Sequence, residues 1–197
     1  MLMGKQFLMG LALSRGAELI TLRQFEPKTF LQTLEDCKVT VAPVVPPLLL
    51  FLAKHPMVDN YKLSTVVDVI AGGAPVGEEL LSALKKRFPH IKHVRQGYGL
   101  TECFSTFLSP FYGSKPNSCG VLLPNLECKV VNQETMAPLG PHEDGEICIR
   151  GPTVMKGYLN NPEATAKTID HEGWVHTGDA GHYDEDGYVY IVDRIKS

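Results

Sequence analysis

The first half of the chain alternates apolar runs with amphipathic segments, and this pattern predicts an α/β fold. Two apolar runs rich in β-branched residues, at residues 39–45 and 64–73, are predicted to be buried strands, and residues 93–99 are predicted to be a third strand that runs into a turn. Helices are predicted around them, at residues 26–37, 46–55 and 75–88. Because continuous apolar strands alternate with helices, we expect a parallel sheet with helices on both faces.

The chain begins with a further apolar segment, which predicts a helix over residues 1–20 followed by a strand-like "ELITL" (18–22). Lys5, Arg15 and Glu18 interrupt its apolar residues. A membrane span needs about 20 mostly apolar residues. We therefore expect a buried helix and no transmembrane segment.

The pattern changes after about residue 115, where short strands separated by Gly, Pro and Asn become dominant. Strands are predicted in "ECKVVN", "GEICIRG" and "GWVHTGDAGHYDEDGYVYIVDR", and a helix in "NPEATAKTI". "DEDG" (184–187) is predicted to be a hairpin turn. The sequence thus predicts an α/β subdomain over residues 1–115 and a mostly antiparallel, β-barrel-like subdomain over residues 116–197.

Composition and charge narrow the range of partners. The net charge is −3 and 44% of the 197 residues are hydrophobic, so the chain can bury a core but has no broad basic surface for nucleic acid. The five cysteines are scattered, without a C-x-x-C pair. This usage favours a reducing, intracellular compartment over a disulfide framework or a zinc site.

Two glycine-marked segments follow predicted strands and are candidates for ligand binding. They are "AGGAP" (71–75) and "QGYG" (96–99). Ligands of open parallel sheets bind beyond the carboxyl ends of the strands, so Gly72 and Gly73 can let the backbone approach a flat ligand while Tyr98 supplies an opposite aromatic face. Gly97 and Gly99 would leave room around the ring. Each segment alone is also compatible with an ordinary βα turn.

Polar side chains near the same predicted edge carry candidate phosphate and metal chemistry. Thr101 can donate to a phosphate oxygen, and the carboxylate of Glu102 is a hard oxygen ligand of the kind Mg²⁺ prefers. Asp179 can accept hydrogen bonds from the two hydroxyls of a ribose, and Arg194 can contact ribose or phosphate. A helix N-terminus, a turn aspartate and a solvated rim arginine are the alternative interpretations of these residues.

Taken together, five segments in this order and spacing resemble the adenylate-forming superfamily of acyl-CoA synthetases, firefly-type luciferases and peptide-synthetase adenylation domains. The resemblance is closest to the 4-coumarate–CoA ligase and luciferase branch. The segments are "GGAP", "QGYGLTE", "GEICIRGPTVMKGYLNNPEAT", "GWVHTGD" and "YIVDRIK". They run through nearly the whole sequence.

The resemblance implies a role for each matched residue. Asp179 and Arg194 are similar to the pair that binds the ribose, and Lys196 matches the lysine at the hinge before a rotating C-terminal domain. Thr101 resembles the threonine that touches the α-phosphate, and Glu102 the magnesium ligand. The adenine and acyl slot would be lined by the two glycine segments: Gly72, Gly73, Ala74, Pro75, Gln96, Gly97, Tyr98 and Gly99.

The implied reaction has two steps. A carboxylate attacks the α-phosphorus of ATP to give an acyl-adenylate and pyrophosphate, and coenzyme A then displaces AMP. The family's phosphate loop and its C-terminal domain have no match here, so we expect a fragment that is inactive alone, from a cytoplasmic or peroxisomal enzyme. A luciferase-like oxygenase sharing the adenylation step and a non-catalytic nucleotide-binding module are the alternatives.

Overall fold

The structure, a computed structural model, describes residues 9–73 and 76–195. Ala74, Pro75 and Lys196, three of the predicted nucleotide contacts, lie outside the described residues, as do the first eight residues of the predicted N-terminal helix. The chain divides into two compact units between Gln96 and Gly97. Each unit is built around its own apolar core.

The first unit contains the helices and the parallel strands predicted for the first half of the chain. Helix α1 covers the described residues 9–14, where Met9, Leu11 and Leu13 are exposed, so the predicted buried helix reaching residue 20 is wrong in this part of the chain. The elements that follow are α2 (Pro27–Asp36), β1 (Val41–Val44), α3 (Pro46–Lys54), a 3-10 helix (Pro56–Asn60), β2 (Asp68–Gly72), α4 (Glu78–Arg87) and the start of β3 (His93–Leu100). Strands β1 and β2 are parallel, with Val41 opposite Asp68, and β3 lies beside β2.

Local sequence explains where these elements begin and which face they bury. Helix α2 starts at Pro27, whose missing N–H is not needed in the first turn, and the Glu26 carboxylate accepts from the next two free amides. Leu31 and Leu34 lie on its buried face, as predicted. They join Leu49 of α3 and Val69 of β2 in one apolar core. Burial of this face against β2 and α3 stabilises the unit far more than helix propensity does.

The second unit is an open antiparallel sheet. Its strands are the end of β3, then β4 (Phe104–Leu108), β5 (Gly120–Leu122), β6 (Glu127–Val131), β7 (Gly145–Arg150), β8 (Val175–Tyr183) and β9 (Tyr188–Arg194). The strand order is β3-β4-β5-β9-β8-β7-β6. A single helix, α5 (Pro162–Thr168), was predicted correctly from "NPEATAKTI" within these described residues. The α/β class is confirmed, although the barrel-like shape is wrong: β6 and β3 are the two ends of the order and do not close it.

Several local predictions need correction. Residues 18–22 form no strand among the described residues, and Leu19 and Leu22 are exposed, so an apolar run without a paired neighbour stays irregular. "QGYG" is not a turn, because β3 continues through it to Leu100. The compact units divide at 96/97 rather than at the change of texture near residue 115, because the end of β3 forms a hairpin with β4.

The helices of the structure are short. Within the described residues, none has the length and apolarity that crossing a lipid bilayer requires.

Candidate nucleotide-binding site

The centre of the candidate site is a hydrogen bond between the predicted base-contacting and ribose-binding residues. The hydroxyl of Tyr98, on β3, donates to Oδ2 of Asp179, on β8, at 2.6 Å. Tyr98 is half-buried, and its ring packs against Phe107 with the ring centres 5.7 Å apart. Burial and the Asp179 carboxylate both raise the pKa of Tyr98, so the phenol stays neutral and acts as a donor.

The second oxygen of Asp179 faces the arginine predicted to act with it. Asp179 and Arg194 are register partners of β8 and β9, and Nε of Arg194 lies 3.9 Å from Oδ1 of Asp179. Asp179 is only 7% exposed whereas the Arg194 side chain is mostly exposed. The buried carboxylate is therefore fixed, and the guanidinium is free to meet a ligand at the surface.

Backbone contacts around Gly178 hold Asp179 in this position. Gly178 adopts a φ of +69°, a conformation that favours glycine. Its carbonyl accepts from the amide of Ile195, and its amide donates to Oε1 of Glu146 at 3.1 Å. The amide of Asp179 donates to the Thr177 hydroxyl. These bonds explain the glycine and threonine in "HTGD", a segment that the sequence predicted to be part of a strand without giving a reason for either residue.

The glycines on either side of Tyr98 have different structural reasons. A Cβ on Gly99 would lie 2.1 Å from the carbonyl oxygen of Phe104, at the bulge where β3 pairs with β4. A Cβ on Gly97 would meet only the end of the Leu108 side chain at 3.3 Å. Gly99 is thus required by the hairpin, which is a stronger reason than the predicted space around the ring. The proposed contact of both glycines with a nucleotide stays a prediction.

Thr101 and Glu102 occupy the tight turn between β3 and β4, not a helix N-terminus. Thr101 is exposed, and Glu102 is half-buried. Oε1 of Glu102 accepts from the hydroxyl of Tyr158 at 2.6 Å, and its backbone carbonyl accepts from the amide of Met155. Sequence reasoning missed Tyr158, because nothing in its local pattern distinguishes a tyrosine that orients a carboxylate from any other surface tyrosine.

The carboxylates of Glu102 and Asp179 both affect the pKa of the buried Cys103 thiol. Burial, the largest cause, together with the charges of Glu102 and Asp179 raises the pKa of Cys103 to about 11. A thiol with this pKa is protonated near neutral pH and is a poor nucleophile. Cys103 therefore packs in the apolar core of the second unit and takes no part in the proposed chemistry.

The first glycine segment belongs to the first unit and has its own support. Gly72 ends β2, and Gly73 has a φ of +94°. Gln96, predicted to contact adenine, is buried, and its Oε1 accepts from the amide of Val76 at 3.1 Å. Gln96 thus anchors the chain just after the glycines. The predicted sandwich of a purine between Gly73 and Tyr98 stays a prediction.

These features define a class of protein: an α/β protein in which Tyr98, Asp179 and Arg194 form a polar cluster beside a turn that carries a carboxylate. The sequence profile of the family described as "AMP-binding enzyme" matches residues 3–159. The chain belongs to this family, which confirms the resemblance inferred from the five segments.

Individual relatives agree with this placement. The chain is 46% identical to 4-coumarate–CoA ligase 1 of Solanum tuberosum over 94% of its length, and 45% identical to luciferin 4-monooxygenase of Nipponoluciola cruciata over 92%. Among solved structures, it is similar to the ATP-bound MatB from Rhodopseudomonas palustris, with a TM-score of 0.83 and 29% identity over 94% of the chain and 36% of that protein.

The match covers only part of each relative. The chain spans 35% of the potato ligase and 33% of the luciferase. It thus corresponds to about a third of the length of the curated relatives.

Proposed function

We propose that this chain is part of the ATP- and AMP-binding domain of an acid–thiol ligase. The complete enzyme would activate a small-molecule carboxylic acid with ATP and transfer the acyl group to coenzyme A. The matched family and the 4-coumarate–CoA ligase relative support the reaction class. Cytoplasm or peroxisome is the proposed location, in keeping with five free thiols.

One observation carries the proposal: Tyr98, Asp179 and Arg194, far apart in the sequence, form one cluster in the second unit. A carboxylate with a fixed orientation can accept two hydrogen bonds from neighbouring hydroxyls of a ribose. An exposed guanidinium beside it can reach a ribose or phosphate oxygen. The half-buried Tyr98 ring offers an aromatic surface to the base. The arrangement therefore suits a nucleoside monophosphate.

Glu102 has the chemistry to hold a magnesium ion at the phosphates. Mg²⁺ is usually bound by one or two carboxylates together with substrate phosphates. The Tyr158 hydroxyl donates to one carboxylate oxygen of Glu102 and thereby orients the other. When bound, the ion would neutralise charge on the phosphates, while Thr101, exposed beside Glu102, would donate to an α-phosphate oxygen.

The residues of this chain would act mainly by binding and positioning. Holding the adenosine fixes the α-phosphorus for attack by the carboxylate, and such orientation alone can contribute several orders of magnitude to a rate. In the proposed enzyme, a phosphate loop and a C-terminal lysine that promotes adenylation come from parts outside this sequence. We propose that the 197 residues alone bind nucleotide weakly and do not catalyse. We also propose the roles that the resemblance implies for three other residues: contact with the nucleotide for Ala74 and Pro75, and the hinge position for Lys196.

The proposal is tested by titrating the chain with AMP and with matched variants. Asp179→Asn should raise the Kd for AMP by about tenfold or more, since an interaction of 1.4 kcal/mol corresponds to tenfold. Asp144→Asn, an exposed carboxylate paired with His182, is the control and should bind as the original chain does. Equal affinity of Asp179→Asn and the original chain, with both folded, would refute the assignment.

A luciferase-like oxygenase is the second candidate, because the firefly relative is almost as similar as the ligase. Both would form an acyl-adenylate. In the protein that contains this chain, acyl-CoA formation from acid, ATP and coenzyme A identifies the ligase. Oxygen uptake that depends on acid and ATP identifies the oxygenase. Absence of both, together with AMP binding, identifies a non-catalytic module.

A further inference from the structure

Three potential metal ligands meet on β7 and β8, next to the residues assigned to the nucleotide, since one oxygen of Glu146 accepts from the amide of Gly178. They are Glu146, Cys148 and His176, and one ligand atom of each lies within 4.8 Å of the others. Cys148 is fully buried, and the side chains of Glu146 and His176 are about one-sixth exposed, at 14% and 20%. The cluster therefore has an opening to solvent on its Glu–His side and a closed base at the thiol.

The distances in the cluster are close to those around a tetrahedral ion. Sγ of Cys148 lies 3.6 Å from Nδ1 of His176, and Nδ1 lies 2.8 Å from Oε2 of Glu146. With Zn–S near 2.3 Å and Zn–N near 2.0–2.1 Å, a tetrahedral Zn²⁺ separates sulfur and nitrogen by about 3.5 Å. On the same bond lengths, the Glu146–His176 contact must lengthen by about half an ångström.

The histidine also has the partner that a metal ligand needs. Nε2 of His176 faces Oδ2 of Asp170 at 3.7 Å. Histidine ligands usually direct their second nitrogen to a carboxylate, which fixes the tautomer and raises basicity. In the metal-free chain Nδ1 of His176 donates to the Glu146 carboxylate; in the metal-bound form the proton would sit on Nε2, facing Asp170, and the lone pair of Nδ1 would face the ion. Asp170 is itself fixed, because its Oδ1 accepts from the amides of Glu172 and Trp174.

We propose that Glu146, Cys148 and His176 form a binding site for a borderline first-row transition-metal cation, represented by Zn²⁺, with Asp170 orienting the histidine. The donor set of thiolate, imidazole and carboxylate selects such cations over Mg²⁺ and Ca²⁺, which prefer oxygen alone. Three protein ligands leave the fourth position to water or another ligand.

Binding must release the thiol proton, because the thiolate is the ligand. Burial, the largest cause, and the charge of Glu146 raise the pKa of Cys148 to about 12, a value that includes a lowering by Lys129. The S–H bond breaks as the S–Zn bond forms, and the proton passes to buffer. We therefore expect Zn²⁺ affinity to increase with pH and the calorimetric enthalpy to depend on the ionisation enthalpy of the buffer.

The test is a titration of the metal-free chain with Zn²⁺ alone and with Co²⁺ alone. We expect one Zn²⁺ per chain by calorimetry and a thiolate-to-Co²⁺ charge-transfer absorption band. Cys148→Ser and His176→Asn should each weaken binding by more than about tenfold, and Asp170→Asn by about 10–100-fold. Cys37→Ser and His182→Asn remove a thiol and an imidazole outside the cluster and should leave binding unchanged.

Three outcomes would each overturn the proposal: no saturable Zn²⁺ binding, no charge-transfer band, or wild-type affinity in His176→Asn. His176 is partly exposed, so its variant decides the matter if the buried Cys148→Ser does not fold. No nucleotide is used in this titration. A failure here therefore leaves the proposed ligase function untouched, and a failure of AMP binding leaves the metal site untouched.

Discussion

The phenol of Tyr98 and the carboxylate of Asp179, which lie 81 residues apart in the chain, are joined by a 2.6 Å hydrogen bond. It connects two strands that are not neighbours in the order β3-β4-β5-β9-β8. Oδ1 of the same carboxylate faces Arg194. One tyrosine therefore fixes the group proposed to bind the ribose.

Tyr98→Phe should destabilise the chain by about 1.5–3 kcal/mol, because hydrogen bonds to charged groups are worth that much and Asp179 would lose a buried partner. AMP binding should weaken as well, although the aromatic ring is retained. Equilibrium unfolding in urea and an AMP titration measure the two effects. Tyr183→Phe is the control: its hydroxyl donates to the neutral carbonyl of Leu139. A loss of stability no larger than in that control would contradict the expected strength of the bond.

Much of the fold followed from periodicity, and the exceptions have physical causes. Strand β1 and helix α2 were predicted to within a few residues because each presents one continuous apolar face. Strand β4 was not predicted, since "FSTFL" begins at Phe104, where φ is +64°, directly after a turn. Strand β5 has only three residues, Gly120–Leu122. So short a segment carries no measurable alternation, and only pairing with β4 and β9 makes it a strand.

The candidate nucleotide-binding site, too, could be predicted only in part from the sequence. Thr101, Glu102, Asp179 and Arg194 could be selected because their chemistry and their resemblance to a family agree. The residues that orient these side chains could not be selected in this way, since Tyr158, which donates to Glu102, lies 56 residues away in the sequence. The Glu146–Cys148–His176 cluster was also missed. Its residues alternate on β7 and lie opposite on β8, so the spacing resembles no metal-binding pattern until the strands pair.

The two glycines beside Tyr98 provide a matched pair of variants. Gly99→Ala should lower the free energy of unfolding by about 3 kcal/mol, at the upper end for overpacking, because its Cβ would collide with backbone atoms of β4. Gly97→Ala should change it by less than about 1 kcal/mol, because the flexible end of Leu108 can move and alanine is favoured over glycine within a strand.

Urea unfolding of the two variants measures this difference. AMP titration of Gly97→Ala then separates the roles: a stable variant with weakened AMP binding supports backbone approach to the ligand at this position. Similar stabilities of the two variants would show that the β3–β4 hairpin relaxes more easily than its geometry indicates.

Glu102→Gln should change the dependence of pyrophosphate release on Mg²⁺ more than it changes the stability of the fold. The amide oxygen can still accept from Tyr158, so the volume and the hydrogen bond are kept while the charge is lost. In the protein that contains this chain, the Mg²⁺ concentration for half-maximal pyrophosphate release should rise by about tenfold or more, since loss of even an outer-sphere partner has that effect.

Two further variants interpret this result. Glu163→Gln removes an exposed carboxylate that pairs with Lys167 on α5 and should leave the Mg²⁺ dependence unchanged. Tyr158→Phe should give a smaller shift in the same direction as Glu102→Gln, because it removes only the orienting bond. If Glu102→Gln loses thermal stability in proportion to activity, its carboxylate is structural rather than a metal ligand.

The hairpin turn at residues 184–187 contains a carboxylate that is ionised although it is buried. Asp184 is buried, which by itself raises its pKa, but the Lys115 ammonium at 2.6 Å and the amide of Tyr188 lower the pKa to about 2 from an ordinary value of 3.8. Nζ of Lys115 also lies over the Tyr188 ring, 4.9 Å from its centre. One lysine therefore stabilises the turn through an ion pair and a cation–π contact.

The ion pair between Lys115 and Asp184 makes the free energy of unfolding depend on pH in a definite direction. Because the folded pKa of Asp184 is depressed, its stabilisation is fully present above about pH 4 and is lost as the pH falls towards 2. Lys115→Gln should raise the folded pKa of Asp184, so the free energy of unfolding is lower at neutral pH and declines less between pH 4 and pH 2. Urea unfolding at a series of pH values measures both changes. Lys167→Gln, which removes an exposed helical pair, should keep the slope of the original chain, and an equally steep decline in Lys115→Gln would assign the acid sensitivity to another carboxylate.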